Sequence, residues 1–359
     1  MARSTTSWRE VGFDEAFQRL KLKAFEIPTK DYQVAGTYPI IDQGDGAVAG
    51  YIDREDPISD VPFIVFGDHT TIVKYVDQPC FIGSQGVVPL KARECYDPYF
   101  LYLMLGRTRI PALGYSRHFR ELENKTFPLP PLVEQRKIAE ILRTWDEAIE
   151  AAEAELKAKQ ERKRGLMQKL LNPSDDGAGA VRMVSKSTVQ LGDICKPQQW
   201  ATIGSSELTE SGYRVHGANC FIGYYSEANH ASDVVAVSCR GENTGNVIYI
   251  PGPSYVTGNA MCLDDLDESK ADARWLCEFL KLRGLRDIIS GSAQPQIIQK
   301  DLARVKIPLP PLAEQRKIAQ VLQSEDAAID SLKVKADLLR AQKRGLMQKL
   351  MTGEIRVAA

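Results

Sequence analysis

The chain has 359 residues, 43% of them apolar and 26% charged, a balance that excludes wholesale disorder and fibrous repeats and suits two or three folded domains. Its 46 basic and 47 acidic residues leave a net charge of −1, so no global field points to a polyanionic partner. No apolar run approaches the roughly 18 residues of a membrane span, and MARSTTSWREVGFDE does not read as a secretory leader, which gives a cytoplasmic protein without a membrane partner as the expectation. The seven cysteines (Cys80, Cys95, Cys195, Cys220, Cys239, Cys262, Cys277) are scattered without a C-x-x-C pair, indicating neither a disulfide framework nor a zinc site.

Residues 1–127 carry short apolar runs such as VPFIVF and TIVKYV between Gly, Pro, Asp and Asn, which read as strands and turns. Gly44, Gly46 and Gly50 miss the dinucleotide-binding spacing and lead into YIDREDP, which starts no helix, so they read as a turn. Asp97 can cap a helix with Pro98 at its first position, before YFLYLML. The second proline of the Asp-Pro-Pro-Tyr tetrad of adenine methyltransferases is missing there, and a cap explains the motif better. Arg107, Arg109, Arg117, His118 and Arg120 then follow with no acid between them.

Residues 128–171 begin PLPPLVEQRKIA and continue without proline, predicting one helix from about Glu134 to Leu170. Steps of four and three from Ile138 pick out Leu142, Trp145, Ile149, Ala152, Leu156, Lys159, Lys163, Leu166 and Leu170, a heptad seam broken by two lysines. Residues 172–182 (NPSDDGAGAVR) read as a linker. The segment 183–307 repeats the style of the first globule, with VVAVSCR and NVIYIPG as strands and ARWLCEFLKLRGLRDII as the helical counterpart. Lys281, Arg283, Arg286 and Lys300 recur where the first basic stretch lies. Residues 308–359 then open on PLPPLAEQRKIA.

These last segments are a duplication at an offset of 180: 23 of 44 positions are identical between 128–171 and 308–351. The second seam is Ile318, Leu322, Glu325, Ile329, Leu332, Ala336, Leu339, Lys343, Leu346 and Leu350, with Glu325 replacing Trp145. Two matched amphipathic helices in one chain are most simply related by a pseudo-two-fold axis, which makes the pair antiparallel. The globules match faintly too: Gly67-Asp-His-Thr70 with Gly241-Glu-Asn-Thr244, Gly50-Tyr51 with Gly223-Tyr224, and Leu101 to Leu105 with Leu276 to Leu280. The fold class is therefore α+β, two pseudo-symmetric globules joined by a pair of long antiparallel coiled-coil helices.

Both globules are mildly acidic, with 15 basic against 17 acidic residues in 1–127 and 13 against 16 in 172–307, so nucleic-acid contact has to be argued locally. Arg pairs with guanine and Gln or Asn with adenine in the major groove. Gln85 in Ser84-Gln85-Gly86, Arg117 and His118 in Gly114-Tyr115-Ser116-Arg117-His118, Arg240 and Asn243 in Arg240-Gly241-Glu242-Asn243, and Gln294 and Gln296 in Ser290 to Gln296 supply such side chains. With Arg107, Arg109, Arg120, Lys281, Arg283 and Lys300 as phosphate contacts, they make up the candidate DNA-binding set; each is equally an ordinary turn or helix-end residue. No Walker loop, G-x-S-x-G or H-E-x-x-H occurs, and His69, His118, His216 and His230 have no ligand spacing, so no catalytic residue, bound cofactor or metal is expected.

On PLPPLVEQRKIA at 128–139, PLPPLAEQRKIA at 308–319, the paired KRGLMQKL ends, GYSRHF at 114–119 and GSAQPQI at 291–297, the chain resembles the specificity subunit of type I restriction-modification systems. The resemblance covers the whole chain. It implies two target recognition domains (1–127 and 183–307), each reading one half of a split site on double-stranded DNA, and two conserved helices (128–171 and 308–359) that set the spacer and dock partners. The implied partners are two adenine methyltransferase subunits using S-adenosylmethionine and motor-nuclease subunits using ATP and Mg²⁺; the chain itself is no enzyme. The alternative is a DNA-specificity or coiled-coil adaptor subunit of another modification or phage-defence system.

Overall fold

The computed structural model describes residues 8–111, 117–171, 188–291 and 294–357. The linker at 172–182, Gly114-Tyr115-Ser116, and Ser292 with Ala293 lie outside the described residues. The chain divides into two compact units, Met1–Ala151 with Ala336–Ala359, and Ala152–Lys335.

In the first unit the central strand Phe63–Gly67 is buried along its whole length, which explains the unbroken apolar run VPFIVF. Its alternate side chains serve two cores. Ile64 and Phe66 face the helix Pro98–Arg107 and Ile138 and Leu142 of the long helix, while Phe63 and Val65 face Ile41, Ile58, Cys80 and Ile82. The strand belongs to a four-stranded antiparallel sheet ordered Phe17–Arg19, Val87–Ala92, Phe63–Gly67, Val73–Val76. A second sheet, ordered Glu26–Ile27, Phe81–Gly83, Tyr38–Ile41, Gly50–Ile52, mixes parallel and antiparallel pairs. A short clasp pairs Arg9–Gly12 with Thr126–Leu129 and delivers the chain to PLPPL.

The second unit repeats this plan. Val235 and Val237 of Val234–Ser238 pack on Trp275, and Val234 and Ala236 pack on Val256 and Cys262. Its sheets run Lys196–Gln199, Ala260–Asp264, Val234–Ser238, Val247–Ile250 and Phe221–Tyr225, Tyr213–His216, Ser254–Val256. The clasp is Thr188–Gln190 with Lys306–Pro308. The helix caps are duplicated as well: Asp97 accepts from Phe100 N at 2.8 Å, and Asp272 accepts from Trp275 N at 2.9 Å. The second helix, Ala273–Arg283, ends at Gly284 with φ +69°, so the expected RDII extension becomes a separate short turn. Burial pushes the Cys80 and Cys195 thiols up to about 12, which keeps them protonated core side chains.

The long helices are Leu132–Leu171 and Leu312–Met351, 40 residues each, or about 60 Å at 1.5 Å per residue. The Gln shared by the two EQRKIA copies lies in the first turn of each one. Gln135 Nε2 donates to Pro130 O at 2.8 Å and its Oε1 accepts from Asp97 N at 2.9 Å. Gln315 repeats both contacts with Pro310 O and Asp272 N, each at 2.8 Å, and also reaches Lys270 O. One buried amide thus joins the PLPPL turn, the long helix and the cap of the domain helix.

Every residue of both seams is buried or half-buried, while most of their neighbours are exposed. The seam lysines face acids. In the second unit Lys163 lies 2.7 Å from Asp326 and 3.1 Å from Glu278, and Lys159 and Arg162 lie 3.5 and 3.3 Å from Glu325. With Glu155 facing Lys335, these partners descend along one helix as they rise along the other, so the pair is antiparallel. In the first unit Lys343 pairs with Asp146, which also accepts from the Tyr99 hydroxyl, and Arg356 grips Glu134. Burial and the Asp146 carboxylate raise the Tyr99 phenol. Asp146 and Lys343 are the repeat equivalents of Asp326 and Lys163. The departure at Glu325 is matched by Lys159 opposite it, at the position where the other repeat has Leu339.

Candidate nucleic-acid interface

In the second unit the turn between Val234–Ser238 and Val247–Ile250 bends at Gly241 and Gly245, with φ of +83° and +93°. Arg240 sits at its entry and bridges Gln296 through the backbone, and Ile297 N donates to Cys239 O at 3.0 Å. Gln296 also exchanges two 2.9 Å backbone bonds with Ser290. Gly291 lies between them at φ +86°, where a Cβ would come within 2.5 Å of Gln294 O. The Thr244 hydroxyl, 3.0 Å from Pro295 O, ties the two loops together. Between them is a cleft of about 470 Å³ lined by Arg240, Gly241, Glu242, Gln294, Pro295 and Gln296.

The fold therefore brings Arg240, Gln294 and Gln296 together, with Asn243 exposed on the same turn and Lys300 exposed on the short helix Gln299–Ala303 that follows. Lys281 and Arg283 are placed differently. Lys281 lies 2.6 Å from the buried Glu278, and Arg283 makes a bidentate pair with Asp287 at 3.0 and 2.8 Å. Both cations are engaged by acids of their own helix or the turn after it, which the sequence reading as free phosphate contacts did not anticipate.

The equivalent turn of the first unit is organised by Asp68, which is 8% exposed. Its carboxylate accepts from Phe119 N at 2.9 Å, its carbonyl accepts from His118 N at 2.8 Å, and its own N–H donates to Gly86 O at 2.8 Å. Gln43 accepts from His69 N at 3.1 Å and fills the space beside Gly86, where φ is +64°. These bonds gather Gln85, Arg117 and Arg120 as exposed side chains around one turn. Arg117 Nε is 3.9 Å from Asp68. Arg109 is exposed beyond the helix end, where Arg107 is half-buried. His118 corrects the expectation of an outward contact: it is 3% exposed with Nδ1 3.0 Å from Asp68 O, so its ring holds the loop. Sequence reasoning missed Asp68 and Gln43 as organisers, although Gly67-Asp-His-Thr70 had marked the place.

Among the described residues, His230, Cys262 and Asp264 form a cluster of metal-ligand types within 4.8 Å. The polar atoms of His230 and Asp264 are already engaged in hydrogen bonds. Asp264 accepts from Trp200 Nε1 at 2.9 Å and lies 2.9 Å from His230 Nε2, and His230 Nδ1 is 2.7 Å from Asn229 Oδ1. Burial raises the Cys262 thiol strongly, which disfavours the thiolate a metal needs. No described helix is long and apolar enough to cross a membrane.

Residues 15–160 and 183–340 match the family model for the type I restriction modification DNA specificity domain. The type I restriction enzyme MjaVIII specificity subunit of Methanocaldococcus jannaschii is 26% identical over 279 residues, covering 66% of this chain and 63% of that one. The chain spans less than two thirds of the length of the curated relatives it matches. The S subunit of a type I restriction-modification system from M. genitalium is similar over 98% of both chains, with a TM-score of 0.72 and 18% identity. A chain from a structure on complex assembly and conformational transition of the type I R-M system gives a TM-score of 0.52 at 17% identity, over 95% of this chain and 98% of that one. At these identities the structural likeness is one of fold.

Proposed function

Because the chain belongs to the type I restriction modification DNA specificity family, matched in both of its halves, we propose that it is the DNA-recognition subunit of a type I restriction-modification complex. Each unit reads one half of a bipartite site on double-stranded DNA, and the helices set the spacer and dock two adenine methyltransferase subunits. Those subunits use S-adenosylmethionine, and motor-nuclease subunits use ATP and Mg²⁺; this chain positions the complex and catalyses nothing. The observation that carries the reading is the duplicated turn, with Gln85, Arg117 and Arg120 in one unit and Arg240, Asn243, Gln294 and Gln296 in the other, each beside an Asp-capped helix. Exposed guanidinium and amide groups are the side chains that pair with base edges. Mild acidity of the globules fits a subunit whose partners contribute part of the positive surface.

Replacing residues 183–307 with those of a relative, in a strain lacking other adenine methylation, tests the proposal. Methylation mapping should show one half of the methylated motif changed and the other retained. A motif altered in both halves, or left unaltered, overturns the division of labour between the units.

A further inference from the structure

The second unit carries a surface that the duplicated turns do not account for. Its hairpin Tyr213–His216 and Phe221–Tyr225 leaves Tyr213, Phe221, Ile222 and Tyr224 exposed at 41%, 40%, 42% and 37%. Among the described residues, all the exposed large aromatic side chains lie on this hairpin. In the first unit the matching strands Tyr38–Ile41 and Gly50–Ile52 keep Tyr38, Tyr51 and Ile52 half-buried. The exposed group is ordered: the Arg214 guanidinium lies 4.9 Å from the centroid of the Phe221 ring, and Phe221 meets Tyr224 edge-on at 5.2 Å. His216 packs beneath at 6.3 Å from Phe221, and its imidazole is lowered by burial and by the charge of Arg214.

Two observations say what this surface meets. The hairpin tip, closed by Gly217 N to Cys220 O at 2.9 Å, touches the base-reading turn, because Asn246 Nδ2 donates to Asn219 Oδ1 at 3.2 Å. From Ser211 to Ser226 the one charged side chain is Arg214, with Glu210 and Glu227 just outside the hairpin at either end. A protein partner needs roughly 800 Å² per side, on the order of 20 to 30 residues. An apolar wedge against a duplex needs one or two side chains with a cation nearby.

We infer that the Phe221–Ile222 tip is a second DNA-contacting element of this unit, setting apolar side chains against base pairs beside those met by Arg240 and Asn243 while Arg214 faces the phosphate backbone. The inference rests on the DNA-reading role proposed above and adds an element to it. Specificity at the flanking base pairs would then arise from their deformability and thymine methyl groups, with no hydrogen bond to a base.

Ultraviolet cross-linking of the full chain to sheared bacterial genomic DNA substituted with 5-iododeoxyuridine, read by mass spectrometry, separates the possibilities. Nucleotide adducts are expected within residues 213–225 as well as within 240–246 or 294–300. Adducts on the latter segments without any on the hairpin overturn the wedge and leave the reading turns standing; adducts on none of them overturn both. In parallel, Phe221→Ala with Ile222→Ala should weaken binding to a duplex carrying the methylated motif by about tenfold, with an unchanged melting temperature. Arg214→Gln should lower the salt slope by about one. Unchanged DNA affinity, with loss of co-purifying methyltransferase instead, would assign the hairpin to a protein contact and overturn the inference.

Discussion

Lys163→Met should lower the melting temperature by on the order of 10 °C, because it strips the inner cation from a charge network at the helix pair. Lys163 is 14% exposed in its side chain and stands between Asp326 and Glu278, whose side chain is 10% exposed. Removing one member of a buried pair commonly costs about 3–5 kcal/mol, since the remaining charge stays desolvated. Lys281 still faces Glu278 at 2.6 Å, so the lower end, about 3 kcal/mol, is the expected loss. The first unit has Leu103 where the second has Glu278. Adding Glu278→Leu to Lys163→Met should therefore restore more than half of the loss, a coupling that a double-mutant cycle reads directly. A single variant that melts within a degree of the parent would mean that the network is solvated and contributes nothing.

The same pair has a pH signature. Burial would raise the Glu278 carboxyl, but Lys281 and Lys163 outweigh it and hold the group below its ordinary value. A depressed carboxyl adds stability that is complete above its ordinary pKa and disappears as pH falls through the lowered one. The stability difference between the parent and Lys163→Met should accordingly narrow as pH falls, because the parent loses this contribution on acid titration and the variant has less of it to lose.

The second large effect concerns helix length. Deleting residues 150–156 together with residues 330–336 removes one heptad from each long helix and keeps both seams in phase. The pairs Asp146 with Lys343 and Lys163 with Asp326 also stay in register, because each loses seven residues from only one of its two helices and the opposing shift is equal. Each helix shortens by about 10 Å, equivalent to about 3 base pairs of duplex. If the helices set the spacer, methylation mapping should return half-sites about 3 base pairs closer. Binding should fail altogether if the accompanying rotation of roughly 100° around the duplex is not tolerated. A stable, active variant with unchanged spacing would show that the helices are packing elements only.

The helices were legible because a 3.5-residue repeat is a local property of the chain, and so were the caps at Asp97 and Asp272. The central strands were legible as apolar runs, although nothing local says that Phe63 and Ile64 serve different cores. What stayed hidden depends on partners distant in sequence. Lys159 and Lys163 looked like defects in the seam until Glu325, Asp326 and Glu278 were seen opposite them. His118 looked like a ligand contact because Asp68, fifty residues earlier, is what draws its backbone and ring inward. In the second cleft, Arg240 and the two glutamines were legible as residue types, but their convergence came from a backbone bridge between loops 56 residues apart.

The clasps carry a consequence for how the chain reaches this state. In both units the outermost clasp pair joins residues 120 positions apart. Closing a loop of that length costs about 4 kcal/mol in chain entropy, and a ribbon of two short strands is marginal by itself. Such a ribbon cannot nucleate. It persists only after the sheets between its strands have condensed and drawn the ends together. Since PLPPL leads from each clasp straight into a long helix, whose first turn is latched by Gln135 or Gln315 to the domain helix, that anchored start waits on a finished globule. Pulsed hydrogen exchange during refolding should accordingly protect the clasp amides after those of Phe63–Gly67 and Val234–Ser238. Each globule then acts as a checkpoint for the helix that follows, and a nascent chain with a misfolded first half has no anchored helix on which to assemble the second.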